Sequence, residues 1–202
     1  MTLPLAPHSR AAPLHHQRMT RIRSLKPNVT REQAIQQFSS WGLVAFFRQA
    51  VHGPLRSVAE LYIPFRLFRA QISNRGLTEE RLVALDAVGG TLDLFQFDHV
   101  PEDAEIIELE TRNCPPACLS DPAAAELVFM KLRRILYSQG FFRMRNLQID
   151  AVPLPGEIHV PYWLGFHGAG SRAHVLVIDA VRRRLDGAKV RQLVEGWLSL
   201  QA

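Results

Sequence analysis

The sequence predicts an α+β fold: two layers, made of internally duplicated helix-plus-antiparallel-strand units and finished by a C-terminal helix. Three observations lead there. ELYIPFRL at 60–67 matches EIHVPYWL at 157–164, and LVALDAVGGTLD at 82–93 matches VLVIDAVRRRLD at 175–186, with 8 of the 20 paired positions identical. A segment with apolar residues at helical spacing precedes each pair of strands. The strands themselves alternate in polarity, which places them in antiparallel order with helices on one face.

The chain opens on a basic stretch. No acidic residue precedes Glu32, while residues 1–31 hold Arg10, Arg18, Arg21, Arg23, Lys26 and Arg31. The remaining 18 basic residues face 19 acidic ones, so the net charge of +5 belongs to this stretch and the body is close to neutral. Residues 1–29 are therefore expected to form a disordered basic extension, with Met19 as an alternative start. Arg-rich and acid-poor, the stretch also has the composition of an organellar transit peptide, but it lacks the apolar core of a secretory signal.

Thr30 and Gln33 form a capping box for a first helix carrying Ala34, Ile35, Phe38, Trp41 and Ala45. Strands are expected near 57–71, 80–88, 91–98 and 104–111, completing a first unit over 30–113. The segment 114–120 reads as a linker because Cys114 and Cys118 enclose two prolines. The C-x3-C spacing is neither the redox C-x-x-C nor a complete zinc set. A second unit over 121–202 begins with a helix, Asp121 at its N-cap and Pro122 at N1, stopped by Gly140. Strands follow near 144–152, 156–167 and 173–181. A closing helix from Asp186 to about Leu200 buries Val190, Leu193, Val194 and Trp197. The two units are expected to share one domain, since half the chain makes a thin core.

Strand parity divides the paired segments by face. Leu61, Ile63, Phe65 and Leu67 share a core face with Ile158, Val160, Tyr162 and Leu164. The other face holds Glu60, Tyr62, Pro64, Arg66 and Phe68, with Glu157, His159, Pro161, Trp163 and His167 in the second unit. This mixture of aromatic and charged groups is suited to a ligand groove or a partner interface. Pro64 and Pro161 cannot donate to a ladder, which points to edge strands open to a second chain.

Several other chemistries can be read from these residues. Glu157, His159 and His167 lie on one face and could contribute to a metal site, although one extended strand spreads them apart. Asp86 and Asp179 end apolar runs at equivalent places; paired carboxylates could share a proton or bind a cation, but an Asp before a tight connection usually caps a turn. Asp93 and Asp186 read likewise, Asp186 as an N-cap. The triplet Arg182–Arg184 reads as a solvated turn that could grip an anion. The phosphate loop, dinucleotide fingerprint, nucleophile elbow and zincin motif do not occur. The strand–Asp-Ala-Val–turn–strand element resembles the closing hairpin of PepSY-type modules over about 12 residues in each unit. That likeness implies no activity.

Composition is that of an ordinary globular protein, 47% hydrophobic and 21% charged, with no apolar run of the ~18 residues needed to cross a membrane. The expectation is a cytoplasmic binding module without a cofactor. It would use Glu60, Tyr62, Arg66, Glu157, His159 and Trp163 to hold a protein partner, a second copy of itself or a small ligand. The alternatives are an enzyme or metal protein centred on Glu157, His159 and His167, and nucleic-acid binding through the basic extension.

Overall fold

The computed structural model describes residues 19–39, 53–140, 146–168 and 174–200. Its elements are β1 (Thr20–Leu25), α1 (Arg31–Ser39), β2 (Leu55–Asn74), β3 (Leu77–Asp86), β4 (Phe95–Phe97), β5 (Ile106–Thr111), α2 (Asp121–Ser138), β6 (Gln148–His167), β7 (His174–Asp179), β8 (Arg184–Leu185) and α3 (Ala188–Ser199). The fold is α+β, as the patterning predicts. Eight strands form one mixed sheet in the order β4-β3-β2-β6-β1-β5, with β7 on β6 and β8 on β7.

Two 20-residue strands, β2 and β6, form the spine. They run antiparallel with Ile63 opposite Val160, Leu61 opposite Tyr162 and Phe65 opposite Ile158. Each carries its own hairpin partner in matching register: Phe65 faces Asp86 on β3, and Tyr162 faces Asp179 on β7. The turn after each Asp is tied back in the same way. Ala87 N–H donates to the Pro64 carbonyl (2.8 Å), and Ala180 N–H donates to the Pro161 carbonyl (3.1 Å). These registers are those of an approximate twofold axis through the Ile63–Val160 pair.

The segments that lead into the helices cross over that axis. Asn28, two residues before the Thr30 cap of α1, donates its N–H to Ala180 at 2.7 Å. Cys118, two residues before the Ser120 cap of α2, donates to Ala87 at 2.8 Å. The helices therefore dock on opposite hairpins. Ala34 and Phe38 of α1 pack with Trp163, Ile178 and Ala180, while Ala124, Val128 and Leu132 of α2 pack with Phe68, Val83 and Leu85.

The opposite face of the sheet carries the largest core. Leu61, Ile63, Phe65, Ile158, Val160, Tyr162 and Leu164 are buried there beneath Val190 and Val194 of α3. Helices thus cover both faces of the sheet, where the alternation predicts one covered face. The second face is apolar too: Phe68, Val83 and Leu85 hide from water only under a helix.

Other boundaries shift for local reasons. Residues 20–25, expected within a disordered extension, form β1, paired antiparallel with β5 and parallel with β6 at His159. Ile22 and Leu25 supply the buried side chains that hold it there. Residues 1–18 lie outside the described residues, as do Trp41 and Ala45. The Thr30–Gln33 capping box is present, with N–H donation in both directions. The N-cap of α2 is Ser120, so Asp121 and Pro122 fall inside the helix; the N-cap of α3 is Gly187, not Asp186. In place of the expected strands at 144–152 and 156–167, β6 runs unbroken from Gln148 to His167, with a register shift against β2 opposite Arg66–Phe68, and residues 144–145 lie outside the described residues.

Pro64 and Pro161 lie in the two central strands and mark no edge. Their carbonyls accept from Ala87 and Ala180, beyond the ends of β3 and β7. Their nitrogens face the same way, toward a turn rather than a ladder, so the missing N–H costs nothing.

Candidate functional site

The polar-aromatic strand face is not an open surface. Tyr62, His159, Trp163 and His167 are 6%, 7%, 5% and 4% exposed. The Trp163 indole N–H donates to the Val29 carbonyl at 2.9 Å, and its ring packs with Phe38 and Ile178 under α1. His159 holds β1 in place: its Nδ1 lies 3.1 Å from the Arg23 carbonyl, and its own carbonyl accepts from the Ser24 hydroxyl. Burial pushes the His159 ring below the usual imidazole range. His167 Nδ1 sits 3.3 Å from the Gly53 carbonyl, and the ring meets Phe38 edge-on. These residues serve packing, which parity alone could not distinguish from a groove.

Among the expected site residues, Glu60 and Glu157 stay exposed and Arg66 is half-buried. Glu60 accepts the Tyr62 hydroxyl at 2.9 Å. Arg66 pairs with Asp121 at 2.7 Å and with Glu157 at 3.4 Å, tying the start of α2 to β2 and β6. The Cys114 thiol, which burial first and then the Glu157 charge push up to about 11, stays protonated near neutrality. Among the described residues no three His, Cys, Asp or Glu converge as a metal site. Two of the described basic residues of the N-terminal stretch meet acids: Arg21 pairs with Glu108, and Arg23 with Asp103 at 3.6 Å.

The twofold arrangement creates a different site. A cleft of about 340 Å³ opens on the α3 side of the sheet, where the two post-turn segments approach each other. Phe65 and Tyr162, which occupy corresponding positions of the two spine strands, form its floor, and Asp93 and Asp186, also corresponding, lie on opposite walls. Phe95, Arg182, Arg184 and the first turn of α3 complete it.

No protein-family model, curated protein or solved structure matches the chain. The chemistry must be read from the side chains.

Charge in the cleft is dense and mutually paired. Lys189 bonds Asp93 across the mouth, and Arg184 lies 3.8 Å from Asp186. The Arg182 guanidinium stacks 3.4 Å over the centre of the Phe95 ring, a cation–π contact that leaves it half-buried. Burial first, then repulsion from Asp179, pushes the Asp186 carboxyl up to about 6. Burial likewise raises Asp179, and holds the Tyr162 hydroxyl well above the phenol range. An aromatic floor with a few fixed charges at its rim is the composition of a small-molecule site, and the volume lies at the lower end of the usual ~300–1,000 Å³.

A second hollow of about 400 Å³ lies over β3 and β4, lined by Arg69, Glu80, Phe97 and His99 among others. It is a polar trough whose charges, such as Arg69 and Glu80 at 3.4 Å, pair at the surface.

Sequence reasoning placed Asp179, Asp186 and Arg182–Arg184 at turns, with proton sharing, cation binding or an anion grip as the other readings, and did not join them in one cleft. The matched Asp-Ala-Val elements were the available signal, because residues related by a twofold axis can meet at it. The contribution of Phe65, Phe95 and the start of α3 depends on tertiary packing.

Proposed function

We propose that the chain is a binding protein that takes a small organic molecule in the cleft between its two hairpin turns, with no catalytic step. The observation that carries this reading is the position of the cleft: it lies on the approximate twofold axis, with an aromatic floor and three cation–carboxylate pairs around it. Such seams between structural halves are common ligand sites. The sequence match and the paired Pro64–Ala87 and Pro161–Ala180 contacts support a duplicated origin for the halves. A partner-binding role for the strand face is weaker, since Tyr62, His159 and Trp163 are buried.

Native mass spectrometry on protein isolated gently from its own host tests this. The expected result is retained mass of a small organic molecule, lost in Ala188→Trp, which fills the mouth from an exposed position without disturbing the core. Protein carrying no added mass would count against the reading. Added mass unchanged by Ala188→Trp would place the ligand elsewhere.

A further inference from the structure

Asp186 in the cleft's wall and the fully buried Asp179 near it are two acids that simple ligand binding leaves without a role. Asp179 Oδ1 accepts from the Val181 and Arg182 amides at 2.9 and 2.8 Å. Its Oδ2 is buried, no described residue donates a hydrogen bond to it, and its cationic neighbour Arg182 stands 3.9 Å away. The Asp186 side chain is only 12% exposed. Its amide donates to the Val177 carbonyl at 2.8 Å, which holds it beside the end of β7, immediately before the Gly187 cap of α3. A buried carboxylate oxygen without a donor is costly, and a second buried carboxylate nearby adds repulsion. One shared proton relieves both.

We propose that Asp179 and Asp186 hold a proton between them and form a clasp that seats α3 on the sheet and loosens as pH rises. The surrounding charges do not remove the need for the proton. Arg182 is stacked on Phe95, Arg184 reaches only the rim of Asp186, and Lys189 is engaged by Asp93. Tyr162 faces the pair from β6 as a neutral hydroxyl, and Asp86 adds negative charge from the other turn, beside Lys131 of α2. Loss of the proton leaves two repelling charges beneath the start of α3, the helix that covers the largest core.

Amide hydrogen exchange on the full chain, corrected for intrinsic rates and compared at about pH 5 and about pH 7.5, tests the clasp. Protection in α3 is expected to fall about tenfold more than in α2 across that interval, and the difference should vanish in Asp186→Asn. Should that variant not fold, the ¹³C carboxyl shifts of the unaltered chain decide, with one of the two acids still protonated above the ordinary carboxylate range. Equal losses in α2 and α3, a difference that persists in Asp186→Asn, or both acids titrating in the ordinary range would each overturn it.

Discussion

The two hairpins share a plan and differ in how they complete it. In the first, β2 contributes Phe68 to a buried cluster with Ala124 and Val128 of α2. In the second, the position corresponding to Phe68 is Gly165, and the bulk comes from the helix instead: Phe38 of α1 fills the space, and a Cβ on Gly165 would lie 2.8 Å from its ring. The ring comes from the strand in one hairpin and from the helix in the other. Total volume at a contact is conserved more readily than the residue that supplies it.

The turns differ more. Asp86 uses both oxygens, accepting from the Gly89, Gly90 and Leu92 amides at 3.0, 2.9 and 2.8 Å. Asp179 accepts from two amides on one oxygen, while the other takes no hydrogen bond from a described residue and lies 3.9 Å from the Arg182 guanidinium. The glycine pair after Asp86 lets the chain wrap its carboxylate, with Gly90 at φ +66°. Of the arginines at the corresponding positions after Asp179, Arg182 lines the cleft and Arg183 lies beside α1. One Asp is purely structural, and the other is left available for proton exchange.

The largest effect that would sharpen this comparison concerns Trp163 and Arg66, which occupy corresponding positions. Trp163→Ala should cost about 3–5 kcal/mol in urea unfolding, because it empties a buried cluster and strands the Val29 carbonyl. Arg66→Ala should cost about 1 kcal/mol, since its ion pairs are partly solvated. Similar losses at both sites would mean that Trp163 is not the core residue described. Gly165→Ala follows, at about 1–3 kcal/mol, as the new methyl forces Phe38 and α1 outward. A neutral result in thermal unfolding would mean that Phe38 does not fill the space beside Gly165.

The pH response comes next. Burial raises Asp179 and Asp186, so the folded state holds protons that the unfolded chain releases. Stability from these groups should therefore fall as pH rises from the ordinary carboxylate value to about 6, and level off above. Melting temperature followed across that interval, with Asp186→Asn giving a flatter curve, checks the sign. The smallest effect should be Glu60→Gln, within about 0.5 kcal/mol, because its bond to Tyr62 lies at the rim.

Much of the fold was legible in the sequence, and the reason is periodicity. Leu61, Ile63, Phe65 and Leu67 announce a buried face at every second residue, and Thr30 with Gln33 announces a helix start. Parity could not reveal that the opposite face is buried too, because Tyr62, His159 and Trp163 carry polar atoms that suit a surface equally well. The His159 ring and the Trp163 indole bond the carbonyls of Arg23 and Val29, and the Tyr62 amide donates to that of Asn113, backbone partners far along the chain that no local pattern identifies. Strand β1 was hidden for a related reason: TRIRSL is basic, and only pairing with the acidic β5 turns Arg21 toward Glu108. The cleft was legible only as two similar Asp-Ala-Val turns, and its walls depend on how α3 returns across the axis.

The contrast between the turns is tested most directly by urea unfolding of Asp86→Asn and Asp179→Asn at about pH 7.5. In Asp86→Asn a side-chain amide meets the Leu92 N–H, donor against donor, and a loss of about 2–4 kcal/mol is expected. In Asp179→Asn both turn bonds survive on Oδ1 and a buried charge disappears, so a gain of about 1 kcal/mol is expected. Opposite signs would establish that two matching aspartates have separate roles. Losses of similar size in both would contradict it, and would make Asp179 a turn residue like its counterpart.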